Sequence, residues 1–144
     1  MIDETLTAKS SVTIEASPAR VWEAITNPAT IKKYLFDTNV SSDWKEGSPI
    51  TYQGNYEGKE YHDKGEILKL VPEKVFKSTY WSSMGGKEDK PENYSIVTYV
   101  LSEEDAKTVV TLTQENIATP EERTHATNNW DMVLQKLKEV VEGE

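Results

Sequence analysis

The side chains in this sequence that could do chemistry are aromatic rings with a polar edge, not nucleophiles or metal ligands. Tyr34, Trp44, Tyr52, Trp81, Tyr99 and Trp130 fall where strand or helix patterns turn toward one shared interior. Tyrosine and tryptophan join an apolar body to a hydroxyl or N–H. Several of them around one space make a pocket with a few polar handles, the usual make-up of a small-molecule site. A packed core is the alternative reading of the same residues. The candidate ligand-binding set is Tyr34, Tyr52, Trp81, Tyr99, Trp130 and Leu134. No catalytic residue, cofactor or metal is expected.

Other chemistries are poorly supplied. The two histidines, His62 and His125, belong to no zinc or iron motif, and there is no cysteine for a disulfide, a thiolate or a zinc site. No Gly-x-Ser-x-Gly elbow is present, and Gly85-Gly86 lacks the strand-to-helix setting of a phosphate cradle. Carboxylates are abundant, but Glu139, Glu142 and Glu144 read as a solvated helix face. The 16 basic and 25 acidic residues give a net charge of -9. Nucleic-acid binding rests on basic neutralisation of phosphates, so no nucleic-acid partner is expected. The N-terminal stretch carries Asp3 and Glu4 and is not expected to be a signal peptide, and no run of about 18 apolar residues suits a membrane span. A cytoplasmic protein is expected.

The element that must hold these rings in place is a C-terminal helix over Thr119 to Val141. Thr119, Pro120 and Glu122 form a capping box with a proline start. Ala126, Trp130, Val133, Leu134, Leu137 and Val141 then make one apolar stripe at helical period. Trp130 lies on this stripe near the helix middle. Such a helix, roughly 33 Å long at ~1.5 Å per residue, cannot cover its own stripe. The rest of the chain must supply the covering surface.

Most of that surface reads as strand. Ser10 to Ala16 alternates, with Val12, Ile14 and Ala16 on one side. Ser17-Pro18 starts a helix with Val21, Trp22, Ala24 and Ile25 on its buried face, and Asn27-Pro28 breaks it. A second short helix follows from about Ala29 to Leu35, then a polar connection from Phe36 to Asp43. Strands are expected over Ile50 to Tyr56, Glu60 to Val71 with a bulge at Gly65, Val75 to Trp81, Tyr94 to Leu101 and Lys107 to Glu115. Glu57-Gly58-Lys59 reads as a hairpin tip, and Ser82 to Asn93 as a flexible loop that could cover one end of the cavity. Short turns make successive strands antiparallel neighbours. Val97, Tyr99, Leu101, Val110 and Leu112 are assigned to the inner face. In Val75 to Trp81, either Phe76 and Tyr80 point inward or Val75, Thr79 and Trp81 do.

The fold class is therefore α+β: an antiparallel curved sheet of six to seven strands wrapped around a long C-terminal helix, with two short helices after the first strand. Residues 1–144 are read as one domain, with about 1–9 as a flexible N-terminus.

Three stretches carry a family resemblance. Val12 to Thr26 contains Pro18-Ala19-Arg20-Val21-Trp22-Glu23-Ala24-Ile25. Gly65 to Val75 is a Gly-led strand followed by a proline turn, and Asn129 to Leu137 holds Trp130, Leu134 and Leu137. Their order and spacing resemble the START-like, or birch-pollen-allergen-like, helix-grip superfamily. Within it they resemble the family named after the C-terminal domain of the activator of heat shock protein 90 ATPase, which has many bacterial members and a stress-response association. The family often has Gly before the helix Trp, where this chain has Asn129, and a Trp pair after the second helix, where it has Tyr34-Leu35-Phe36.

The resemblance implies a cavity between the long helix and the sheet. The function expected first is non-enzymatic binding of a small hydrophobic, aromatic or lipid-like molecule there, by a monomer or weak dimer. A co-chaperone-like module that contacts a chaperone or another protein is the alternative, favoured by a fully packed interior. A cyclase or dehydratase-type enzyme is a third reading, favoured by a buried carboxylate or histidine projecting into an open cavity.

Overall fold

A computed structural model describes residues 6–35, 37–56, 58–83 and 87–143. Outside the described residues lie the first five of the polar N-terminus, Phe36, Glu57 of the expected hairpin tip, and Gly85 and Gly86 of the expected loop. The elements run β1 (Leu6–Ile14), α1 (Pro18–Thr26), α2 (Pro28–Tyr34), β2 (Asn39–Ser42), β3 (Pro49–Tyr56), β4 (Lys59–Val71), β5 (Val75–Tyr80), a 3-10 turn (Pro91–Asn93), β6 (Ser95–Glu104), β7 (Lys107–Ile117) and α3 (Pro120–Glu142).

Each helix begins where its cap chemistry puts it. The Ser17 hydroxyl accepts from the Arg20 N–H, and the Asn27 side chain, which also ends α1, accepts from the Ala29 N–H. Thr119 Oγ1 accepts from the Glu122 N–H at 3.1 Å. These bonds satisfy N–H groups that no helical carbonyl can reach, and a proline at the first helical position has no N–H to satisfy. Val133, Leu134, Leu137 and Val141 of α3 are buried against the sheet, and Trp130 packs at the edge of the core.

The strands form one antiparallel seven-stranded sheet in the order β1-β7-β6-β5-β4-β3-β2. The expected polar connection from Phe36 to Asp43 instead contains β2, which pairs with β3 at the sheet edge. Short polar strands suit an edge, where unpaired backbone would otherwise recruit another strand. Val40 is the one buried residue of β2, so the strand leaves almost no apolar pattern. The first strand starts at Leu6 and stops at Ile14, short of Ala16.

The ambiguous strand resolves as well. Phe76, Ser78 and Tyr80 face inward, while Val75, Lys77 and Thr79 occupy the other face. Val97, Leu101, Val110 and Leu112 are buried as assigned, and Tyr99 packs against them.

Strand β4 is the corner of the sheet. Its first half pairs with β3, placing Tyr52 opposite Asp63 and Ile50 opposite Gly65. Its last residues pair with β5, with Ile67 opposite Ser78 and Val71 opposite Val75. The register irregularity lies between Ile67 and Lys69, not at Gly65. Gly65 instead meets β5 at close range: a Cβ there would sit 1.8 Å from the Thr79 carbonyl oxygen.

Candidate functional site

Between α3 and the inner face of the sheet the packing leaves a cavity of about 460 Å³. A space of this size suits a small organic molecule. One wall is aromatic. The Tyr99 ring stacks on Phe76 (5.8 Å between centroids, 12° between planes) and meets Trp130 edge-on (6.4 Å, 83°). Tyr52 meets Tyr80 edge-on at 5.7 Å. Strand alternation puts Tyr52, Tyr80 and Tyr99 on one face from three strands, and α3 adds Trp130 from above.

The rings are held by polar bonds at their edges. The Trp130 indole N–H donates to Gln114 Oε1 at 2.8 Å, and the Gln114 amide donates to Ser95 Oγ at 3.1 Å. That chain fastens the middle of α3 to β7 and β6 beside the cavity. Thr38 Oγ1 and the Tyr61 hydroxyl share a hydrogen bond of 2.5 Å across another part of the lining.

The charged group of the lining is Asp63, only 7% exposed and part of the cavity wall. Its carboxyl oxygens accept from the Tyr80 hydroxyl at 2.5 Å and from the Ser83 backbone N–H at 3.1 Å. His62, one residue away, points to the other face and pairs with exposed Glu60 at 3.4 Å. Among the described residues no group of three potential metal ligands comes together.

Burial holds the phenols of this region above the ordinary tyrosine range. For Tyr99 desolvation is the main cause, with Tyr52 adding to it. For Tyr52 desolvation again leads, opposed by a bond with Ser78 and reinforced by Asp63. Tyr80 is pushed up by burial first and then by the Asp63 carboxylate, and Tyr34 chiefly by burial. Below about pH 10 these phenols are protonated folded or unfolded, and their contribution to stability is fully present. Above that the unfolded chain releases protons the folded chain keeps, so unfolding free energy falls as pH rises. The denaturant midpoint should therefore fall as pH rises above about 10, with a shallower fall in Tyr52→Phe. Equal slopes in both proteins would show that Tyr52 is not part of this effect.

The expected site residues separate into two groups. Tyr52, Tyr99 and Trp130 line the cavity together. Tyr34 is buried beside it in α2 and donates to the Ala24 carbonyl at 3.2 Å. Leu134 is 1% exposed within the core. Trp81 lies apart, stacked near Tyr94 at 6.5 Å with the Lys64 ammonium 5.8 Å from its ring. Its indole N–H donates to the carbonyls of Lys87 and Glu88, in the middle of the segment expected to be a flexible loop. Trp44 packs on Phe76 at 5.9 Å.

Sequence reasoning missed Asp63 and Gln114 as cavity residues, and it left Tyr80 open between the two faces of its strand. The signal for Asp63 was available: Tyr61, Asp63, Gly65 and Ile67 alternate on one side of β4, and buried Ile67 marks that side as inner.

A family model described as "Activator of Hsp90 ATPase homolog 1-like protein" matches residues 15–142. The solution structure of ChR145 from Cytophaga hutchinsonii is 41% identical, covers 99% of this chain and 97% of that one, and superimposes with a TM-score of 0.85. The Aha1 dimer from Colwellia psychrerythraea is 21% identical over 95% of this chain and 96% of its own (TM-score 0.76). CalU16 from Micromonospora echinospora is 22% identical over 96% and 85% (TM-score 0.72). The last two show likeness of fold alone. No curated protein matches the chain.

Proposed function

Since the chain belongs to the activator of Hsp90 ATPase homolog 1-like family, within the START-like helix-grip superfamily, we propose that it binds a small planar hydrophobic molecule between α3 and the sheet. The family fold supports a ligand-binding or co-chaperone-like domain. The observation that carries the ligand reading is the cavity itself: about 460 Å³ with Tyr52, Tyr80, Tyr99 and Trp130 around it. A helix and sheet whose only task was to present an outer surface would gain stability by filling that space, because voids forfeit dispersion contacts. Among the described residues no helix is long and apolar enough to cross a membrane. A cytoplasmic monomer or weak dimer goes with this reading.

Aromatic stacking adds ~0.5–1.5 kcal/mol per pair beyond area burial. Few fixed polar contacts and the cost of ordering a ligand bring the expected affinity to the order of micromolar. Titration with flavone should shift the Trp130 indole resonance and the Tyr99 amide first. Tyr99→Ala should weaken binding about tenfold, the loss of roughly one stacked pair. If no member of a broad hydrophobic library moves these resonances at millimolar concentration, a protein-partner role replaces this reading.

A second reading, an acid–base enzyme of the cyclase or dehydratase type, draws on Asp63, a nearly buried carboxyl group facing the cavity. Its phenol neighbours Tyr52 and Tyr80 are held protonated. Chemical change of a bound probe that is lost in Asp63→Asn would favour the enzyme.

A further inference from the structure

We infer that the ligand carries a protonated amine, or a comparable nitrogen donor, that it places on Asp63, and that ligands ending in a carboxylate are excluded. The inference deepens the reading of the cavity as a ligand site and rests on it. It turns on how charge is distributed around the lining. Among the described residues Asp63 is the one charged side chain in the cavity wall, and no Lys, Arg or His lines it. The basic neighbours along β4 are turned away by strand alternation: Lys64 pairs with Asp89 and lies over Trp81, and His62 pairs with Glu60.

Among the described residues Asp63 is also incompletely satisfied. A carboxylate offers about four acceptor positions. The Tyr80 hydroxyl and the Ser83 N–H account for two, and neither donor is charged. A nearly buried carboxylate without a cation is costly, and a cationic donor is the strongest partner it can gain.

The surrounding rings favour the same chemistry. Tyr52 and Tyr80 meet edge-on beside Asp63, and Tyr99 and Trp130, edge-on to each other, line the same cavity. Aromatic faces attract ammonium groups through their quadrupoles, the basis of aromatic cages. The Gln114 side-chain carbonyl already takes the Trp130 N–H, and the remaining amides of the lining, Asn55 and Asn129, are uncharged. The net charge of -9 adds a long-range field of the same sign. An anionic head group would meet Asp63 with no counter-charge in the wall, so the cavity separates a fatty acid from an amine of similar size.

The test is a matched set of planar probes: naphthylmethylamine, methylnaphthalene and naphthoate, each titrated into the protein with the Trp130 indole resonance as readout. The amine should bind about tenfold more tightly than methylnaphthalene, as one charge-assisted hydrogen bond requires, and naphthoate should bind most weakly. In Asp63→Asn the three affinities should converge to within about twofold, while methylnaphthalene still binds. Tyr80→Phe keeps the charge and removes one competing donor, so there the amine preference should persist or grow, which serves if Asp63→Asn does not fold. Naphthoate binding as tightly as the amine, or an amine preference that survives Asp63→Asn, overturns the inference but leaves the ligand site standing. Failure of the amine to bind while flavone still shifts the Trp130 resonance overturns the inference alone, and failure of all three probes together with the broad hydrophobic library overturns the ligand site as well.

Discussion

Gly65→Ala should destabilise the protein by about 3 kcal/mol or more, the largest effect expected of any single methyl group in this fold. A Cβ at Gly65 would lie 1.8 Å from the Thr79 carbonyl oxygen and 2.6 Å from its carbon. Both are backbone atoms, so no side-chain rotation relieves the clash. Flanking bonds tie the same place down: Lys64 and Trp81 exchange N–H to carbonyl bonds at 2.9 and 2.8 Å, and the Glu66 N–H donates to Thr79 Oγ1 at 2.9 Å. Separating the strands enough for a methyl group would strain or break these bonds, each contributing about 1 kcal/mol, on top of the usual cost of overpacking. Chemical denaturation of the variant gives the measurement. A loss under about 1 kcal/mol would mean that β4 and β5 are less closely apposed at this corner than described.

Leu134→Ala is expected to cost about 2–5 kcal/mol, through lost transfer free energy and the void left behind. Leu134 is 1% exposed, with Val133 and Leu137 equally buried on the same helix. The neighbouring Met132 is 57% exposed and provides the contrast. Met132→Ala should change stability by no more than about 0.5 kcal/mol. A Leu134→Ala variant as stable as Met132→Ala would remove the helix from the core and overturn the gripped-helix architecture.

The features readable from the sequence were those with a repeating or local cause. The stripe on α3, the caps at Ser17 and Thr119, and the alternation of Val97, Tyr99 and Leu101 each repeat a rule over several residues, and the architecture follows from them. The failures share a physical origin too. Strand β2 is four residues long with one buried side chain, too short for a period to show. Trp81 was grouped with the cavity rings because an amphipathic ring suits either face of a sheet. A strand's two faces exchange on a shift of one residue, and Phe76 and Tyr80 decide the matter against Trp81. Asp63 went unnoticed because a carboxyl group on an inner face runs against the hydrophobic pattern, and such conflicts gather at functional sites.

The pairing of β1 with β7 governs when the protein can become itself. Lys9 sits opposite Thr113 and Ile14 opposite Thr108, partners about a hundred residues apart. Strands β3 to β7, by contrast, are neighbours in the chain as well as in the sheet. They can zip as successive hairpins while the chain is still being synthesised, whereas β1 must wait, and closing so long a loop slows folding. The final helix waits with it. Ser10 donates to Asp131, the Lys138 ammonium reaches the Thr13 carbonyl, and the Glu15 N–H donates to Glu142, so α3 is moored to the strand that arrives last. Trp130 rides on that helix. The pocket is thus the last part of the molecule to form, and a nascent chain has nothing to offer a ligand until both of its ends have come home.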